Sequence, residues 1–371
     1  MKCDSAGMIY SLRPAFAVIA SFAVSFSAAP AAPVRVVSEA APPAVQPQVA
    51  VAPDGAIHVV FGPGSGVYHT RSVDGLTFSP AVKVGELEKL ALGMRRGPRI
   101  SATDKVVAVT AISHADGMLH AWISVDGGAT WDAGSPINSA PNSAREGMHA
   151  MAGDGRGFVV VTWLDLRNKG TELWSRVSRD GGLTWRPEVR VYASPDGHIC
   201  ECCQPSVGIG PRGGIAAMWR NWLGGSRDPW LAISADGGAT FGEAKKLGAE
   251  TWKLNGCPMD GGALAFSPTG KPLAVWRREK TVHAAEIGGS EFSLAQNAAQ
   301  PVVALGKRGA VFVWQQDGGL MIQRGTDRAA RLADDAAFAA IACAADGATA
   351  IVWETQKSPG TIYFDAQDSN K

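Results

Sequence analysis

Ser178-Arg-Asp-Gly-Gly-Leu-Thr-Trp185 has three close relatives in the same chain: Ser72-Val-Asp-Gly-Leu-Thr-Phe78, Ser124-Val-Asp-Gly-Gly-Ala-Thr-Trp131 and Ser234-Ala-Asp-Gly-Gly-Ala-Thr-Phe241. They recur roughly every 50 to 56 residues, close to the per-blade period of a propeller. Each follows an alternating run such as Leu173 to Val177 and precedes a second short one such as Val189 to Tyr192. That pattern is a hairpin with its turn built in. The aspartate accepts hydrogen bonds from turn amides, the glycines take the positive φ that other residues resist, and the terminal Trp or Phe packs beside the next sheet. Asp74, Asp126, Asp180 and Asp236 therefore read as scaffold, their chemistry used up in forming the turn.

Upstream of each box lies a second pattern. A β run begins near a Pro or small polar residue, crosses a Gly turn and returns as an apolar strand that often ends in Trp. Pro47 to Phe61, Pro98 to Ile112, His149 to Trp163, Pro205 to Trp219, Pro258 to Trp276, Pro301 to Trp314 and Ala339 to Trp353 make seven such starts. The last three units lack a good box, with Gly289 to Phe292 as a worn remnant. The final unit, ending near Phe364, shows only three strands. Val34 to Ser38 can supply its fourth and close the ring, removing the exposed edges of an open sheet. The expectation is an all-β propeller of four-stranded antiparallel blades, seven in number, or six if one blade has been split.

The boxes and their spacing resemble the Asp-box, or BNR, repeat of the sialidase-like β-propeller superfamily, and the resemblance covers nearly all of the chain beyond its leader. For that superfamily it implies exo-acting glycoside hydrolysis by an arginine triad, an acidic acid/base and a Tyr nucleophile activated by Glu. This chain departs from that set. Pro98-Arg99-Ile100 only echoes the family's first-blade arginine context, Tyr68 and Tyr192 lie beside the boxes, and Tyr363 has no obvious glutamate partner. Asp-box propellers without sialidase activity also exist, so function has to be argued from the site.

Composition narrows the classes. The 371 residues carry 35 Lys+Arg against 34 Asp+Glu, a net charge of +1, so no basic excess exists to grip nucleic acid. With 46% hydrophobic residues the chain is far from the disordered regime. Ala15 to Phe26, preceded by Arg13 and followed by the small residues Ser27 to Ala32, reads as a signal peptide over residues 1–31. That leaves one propeller domain over 32–371, expected in the periplasm or secreted as a bacterial-type exported protein, with no transmembrane segment after cleavage.

Function should sit on the connections opposite the box turns, because loops on a rigid scaffold usually carry it. Two unusual stretches fall there: His198-Ile-Cys200-Glu-Cys202-Cys203-Gln-Pro205, leading into the fourth blade, and Asn255-Gly-Cys257-Pro-Met259-Asp260, leading into the fifth. Neighbouring blades would bring Cys200, Cys202, Cys203 and Cys257 together, whereas Cys343, in an apolar strand, reads as a buried small hydrophobe. One reading is disulfide clamping, for instance Cys257 with Cys200 or Cys202. Another is a thiolate site for Cu(I) or Zn, with His149, His198 or Met259 nearby; against it stands the tight Cys-x-Cys-Cys spacing, since adjacent Cys202 and Cys203 do not easily share an ion. A redox-active thiol pair is the third.

The same face carries Asp165 and Arg167, Arg220, Arg227 and Asp228, and Arg277, with Arg99 and Asp260 on neighbouring connections. Arg99, Arg167, Arg220, Arg227 and Arg277 could grip a small anionic ligand or sugar acid by bidentate hydrogen bonds, or pair with acids across blades. Asp165, Asp228 and Asp260 are the candidate catalytic carboxylates of a glycosidase. The chain thus reads as a binding protein with a thiolate metal site, with two alternatives. These are an exo-acting hydrolase of sialidase type and a protein-interaction platform held by disulfides, which would present an exposed apolar patch to its protein partner.

Overall fold

Runs such as Val159–Asp165 and Ile215–Arg220 are buried at every position, and a strand buried on both faces has to lie between two other layers. A ring of sheets supplies those layers. The computed structural model describes residues 32–37, 43–267, 269–306, 309–344, 347–356 and 360–367, and the leader expected over 1–31 lies outside them.

The described residues form seven four-stranded antiparallel sheets. The first blade comprises Ala44–Val51, Ile57–Pro63, Gly66–Ser72 and Val82–Glu86, and the second Arg99–Ala102, Val107–Ile112, Leu119–Ser124 and Asp132–Ala133. His149–Gly153, Val159–Asp165, Glu172–Ser178 and Val189–Tyr192 make the third, and Ser206–Ile209, Ile215–Arg220, Pro229–Ser234 and Lys245–Lys246 the fourth. The fifth holds Ala263–Phe266, Pro272–Arg278, Thr281–Glu286 and Phe292–Gln296; the sixth Ala298–Gly306, Gly309–Gln316, Gly319–Arg324 and Ala330–Asp334. In the seventh, Ala336–Cys343, Thr349–Thr355 and Ile362–Gln367 are joined by Val34–Val37, whose register pairs Val34 with Phe364 and Arg35 with Tyr363. The ring is closed by the N-terminal strand, with seven blades rather than six.

The first strand of each blade lines the axis. Seven apolar clusters fill the seven seams, each drawing side chains from two adjacent blades. At the end of the second strands, Trp163, Trp219, Trp276, Trp314 and Trp353 are all but fully buried, and Phe61 and Ala111 hold the same register position in the first two blades. Cys343 departs from its expected burial: it ends the inner strand of the seventh blade, half-buried, and lines the axial channel.

Each box lies in the turn between third and fourth strands. In the third blade Ser178 Oγ donates to Asp180 Oδ1 at 2.7 Å and accepts from Gly182 N at 2.9 Å, while Asp180 Oδ1 accepts from Thr184 N at 2.8 Å. Asp126 and Asp236 make the same contacts with Thr130 and Thr240, whose hydroxyls and amides hold both carboxyls well below the usual carboxylate range.

One seam carries an unusual polar pair. His58 Nδ1 lies 3.0 Å from His69 Nε2, both rings are 2% exposed, and the His69 ring meets the edge of Trp131 at 5.2 Å. Gly128, φ 93°, sits so close that a Cβ there would fall 2.1 Å from the His69 ring, so only glycine fits. Burial and then Arg71 lower the His58 pKa to about 4, with Asp54 opposing; burial and then His58 lower that of His69 to about 3.

Two outcomes follow from these seams. Phe364, fully buried and edge-on to Phe78 at 5.3 Å, anchors the closing blade to the first. Phe364→Ala should lower unfolding stability by about 3–5 kcal/mol in urea titration. The histidine pair takes up protons more readily unfolded than folded, so its contribution is complete above about pH 6.5 and fades as pH falls toward 4 and 3. Urea midpoints should therefore drop across that window, and a His58→Gln, His69→Gln double variant should show a flatter dependence; an unchanged slope would assign the acid sensitivity elsewhere.

Candidate metal centre

The connection from Val189–Tyr192 to Ser206–Ile209 crosses from the rim of the third blade to the axis of the fourth. It is pinned as it goes: Ile199 N donates to Thr171 O at 3.0 Å and Cys200 N to Arg220 O at 2.9 Å. The turn over Glu201–Cys203 then folds all three thiols inward. Cys200 Sγ lies 3.5 Å from both Cys202 Sγ and Cys203 Sγ, and Cys202 Sγ lies 4.0 Å from Cys203 Sγ. No S–S bond joins them. Cys200 and Cys203 are 1% exposed, Cys202 is 9% exposed, and Met259 packs against the group.

The turn thus brings even the sulfurs of adjacent Cys202 and Cys203 within 4.0 Å of each other, despite the tight Cys-x-Cys-Cys spacing. Among the described residues the triad is the group of His, Cys, Asp or Glu ligand atoms that all lie within 4.8 Å of one another. Cys257 is exposed and stands outside that group. His149 and His198 are occupied elsewhere. His149 Nε2 faces Thr110 Oγ1 at 3.1 Å while its Nδ1 is buried without a partner, and burial, then Arg99, drive its pKa well below 6.5. His198 lies beside Trp222 at 6.1 Å.

The second wall of the site is the connection into the fifth blade. Asp260 N donates to Cys203 Sγ at 3.4 Å and Gly261 N to Gln204 Oε1 at 3.1 Å. The two segments touch here: a Cβ on Gly261 would fall 1.7 Å from Gln204 O. Arg220 clamps the pair of blades, donating through Nε to Asp260 O at 2.9 Å, through Nη2 to Arg277 O at 2.9 Å, and through Nη1 to Arg227 O. Arg227 stacks over Trp222 at 4.3 Å, with its Nε buried and unpartnered.

Electrostatically the triad is a set of protonated thiols flanked by cations. Hydrogen bonding with Cys202, followed by burial, pushes the Cys200 thiol up to about 11, with Cys203 and Arg227 opposing. Burial pushes Cys203 up to about 12, with Cys202 and Arg220 opposing. The Cys200 contact lowers Cys202, but Cys203, burial and Cys257 together leave it raised. Two guanidiniums thus stand ready to offset charge on the sulfurs.

The remaining candidates are spread around the face. Arg99 donates to the carbonyls of Gly97, Pro98 and Arg95, at the mouth of a cavity of about 160 Å³ on the axis that Gln204 also lines. Arg167 pairs with Asp165 at 2.8 Å and with Glu188, and lies over Trp174 at 3.9 Å. Asp165 also accepts from Ser143 and Trp163, and these bonds with Arg167 outweigh burial to keep its pKa low. Asp228 accepts from Trp252 N at 2.7 Å. Arg277 donates to Pro258 O at 2.7 Å and faces Asp260 at 3.5 Å, and Asp260 Oδ1 has no partner. Arg220, Arg227 and Arg277 meet at the border of the fourth and fifth blades, whereas Arg99 and Arg167 belong to other seams.

Three features had no mark in the sequence reading. Arg95 holds the sixth and seventh blades by donating to Gln300 O at 2.7 Å and Ala339 O at 2.6 Å; only its position just before Pro98 hinted at a blade start. Trp252 lies under Arg220 and Arg277 at 5.4 and 5.6 Å. Glu146 is held above the usual carboxylate range by burial and then by repulsion from Glu201, whose Oε2 is buried without a partner. No regular spacing links those two glutamates, which sit in different connections.

No protein-family model matches the chain, and no curated protein matches it in sequence. Solved structures share its fold. An α-L-arabinanase from Penicillium chrysogenum, complexed with arabinobiose, is 14% identical with a TM-score of 0.52, covering 91% of this chain and 97% of the other. An α-L-arabinofuranosidase from Fusarium graminearum, bound to an iminosugar inhibitor, is 12% identical with a TM-score of 0.52, over 90% and 96%. A virginiamycin B lyase from Staphylococcus aureus is 11% identical with a TM-score of 0.53, over 90% and 98%. At these identities the likeness is one of propeller architecture.

Proposed function

We propose that this chain is an exported Asp-box propeller that binds a thiophilic metal ion, Cu(I) or Zn(II), through Cys200, Cys202 and Cys203. The observation that carries the reading is the sulfur triangle of 3.5, 3.5 and 4.0 Å. A metal–sulfur bond of about 2.3 Å sets sulfurs about 3.8 Å apart in a tetrahedral site and about 4.0 Å apart in a trigonal one. The triad has the edges of such a polyhedron before any ion arrives. Burial excludes water, Met259 adds a soft thioether beside the sulfurs, and Arg220 and Arg227 offset the net negative charge of a tris-thiolate complex.

A second reading rests on Glu146 and Glu201. Two carboxyls that repel each other, one with its pKa raised by burial and by the other, is an arrangement that general acid catalysis uses. It fits the alternative of a glycoside hydrolase, the activity of the arabinan-acting enzymes that share the fold. The arginines favour it less, because Arg99, Arg220 and Arg277 give their hydrogens to main-chain carbonyls.

Elemental analysis of protein purified without chelators or added metal should find about one Cu or Zn per chain, and Cys203→Ser should lose it. Because thiolates bind and these thiols hold their protons, loading apo-protein in weak buffer should release about three protons, and apparent affinity should rise steeply with pH. No metal in either protein, and none taken up on titration with Cu(I) or Zn(II), would overturn the reading and turn attention to arabinoside and sialoside hydrolysis, with Glu146→Gln as the test.

A further inference from the structure

A buried three-sulfur site holds an ion well and exchanges it slowly, since the incoming ligand has no path to it. We infer that Cys257 supplies that path: it is the exchange thiol through which a thiol-bearing carrier hands metal to the triad, and not a standing ligand. This rests on the metal-binding reading above.

Four observations carry it. Exposure is graded across the four cysteines, from Cys257 in solvent, to Cys202 at 9%, to Cys200 and Cys203 at 1%. Cys257 stands on the segment that walls the triad, two residues before Met259, which packs on the sulfurs, and three before Asp260, whose N donates to Cys203 Sγ at 3.4 Å. The Met259 side chain packs against the triad, so the protein side of the cluster is covered without Cys257. Finally, the segment is anchored just after the thiol, by Arg277 donating to Pro258 O at 2.7 Å and by Asp260 N on Cys203, while Asn255, Gly256 and Cys257 themselves stand in solvent.

The step is an associative ligand exchange. The carrier arrives with the ion bound to its own thiolates. Cys257 forms a metal–sulfur bond and gives its proton to one departing carrier thiolate. Cys202 then forms its bond, the proton it loses going to the second carrier thiolate, and Cys200 and Cys203 bind as Cys257 lets go; of the two protons they lose, one returns to Cys257 and the other passes to solvent. The oxidation state of the ion does not change and no external oxidant or reductant enters. The partner is defined by this chemistry: a small thiol or a protein that presents metal on accessible cysteines. A thioether beside the sulfurs favours Cu(I) as the cargo.

The test compares wild type, Cys257→Ser and Cys203→Ser, each as the full chain and each checked for an unchanged circular dichroism spectrum. Cu(I), and in parallel Zn(II), is presented as its complex with glutathione, and both the rate of transfer and the equilibrium affinity against a chromophoric chelator are measured. The expected result is that Cys257→Ser keeps one ion per chain with an affinity within about threefold of wild type but acquires and releases it at least tenfold more slowly. A hundredfold loss of affinity in Cys257→Ser would make Cys257 a ligand and overturn the inference, as would unchanged rates. Failure of the underlying reading looks different: wild type itself would take up no metal, and Cys203→Ser would match it.

Discussion

Every blade of this protein is apolar on both faces, and that single constraint governs the rest. A sheet with two apolar faces needs two neighbours, so no subset of blades satisfies itself and the array has to return to its starting point. Seven clusters, one per seam, show the requirement met all the way round. Once the ring is closed, regular structure has no freedom left to vary. Chemistry is confined to the connections, and polar groups that enter the seams must bring their partners with them, as His58 and His69 do.

Much of this was legible because the signals are local. The Ser-x-Asp-Gly-Gly turn is written within eight residues, and the Trp that ends a second strand marks a seam wherever it recurs, which is how the last three blades could be counted without boxes. The closing role of Val34 to Ser38 came from arithmetic, since the last unit was short by one strand. The fifth blade shows the limit. Its sequence pattern begins at Pro258, but the inner strand begins at Ala263, because Met259–Gly262 are held against Cys203, Gln204 and Gln300 instead of joining the sheet.

The site was legible as residues and not as geometry. Convergence of two connections could be read from blade order, but the inward turn at Glu201–Cys203 depends on pins supplied by Thr171 and Arg220, which lie elsewhere in the chain. The arginines show the same limit more sharply. In sequence they advertise capacity for anions; in the structure Arg99, Arg220 and Arg277 donate chiefly to carbonyl oxygens of the connections. A carbonyl left unpaired by a strand's end leaves no trace in composition, so nothing local distinguishes a guanidinium that clamps two blades from one that waits for a ligand. Glu146 and Glu201 were missed for a related reason, as their proximity is created wholly by the packing of separate connections.

The closing seam also sets an order of events. Val34–Val37 precedes every other described strand in synthesis, yet its partner Ile362–Gln367 follows them all. Six blades can form and stack while both ends of the arc are still open, and the seventh becomes complete only when these two strands meet. Until then one apolar blade face and one strand edge wait unprotected at each end of the arc. The finished ring, by contrast, carries its first and last described strands side by side, so the chain could be rejoined there and cut at an outer connection without changing a single seam.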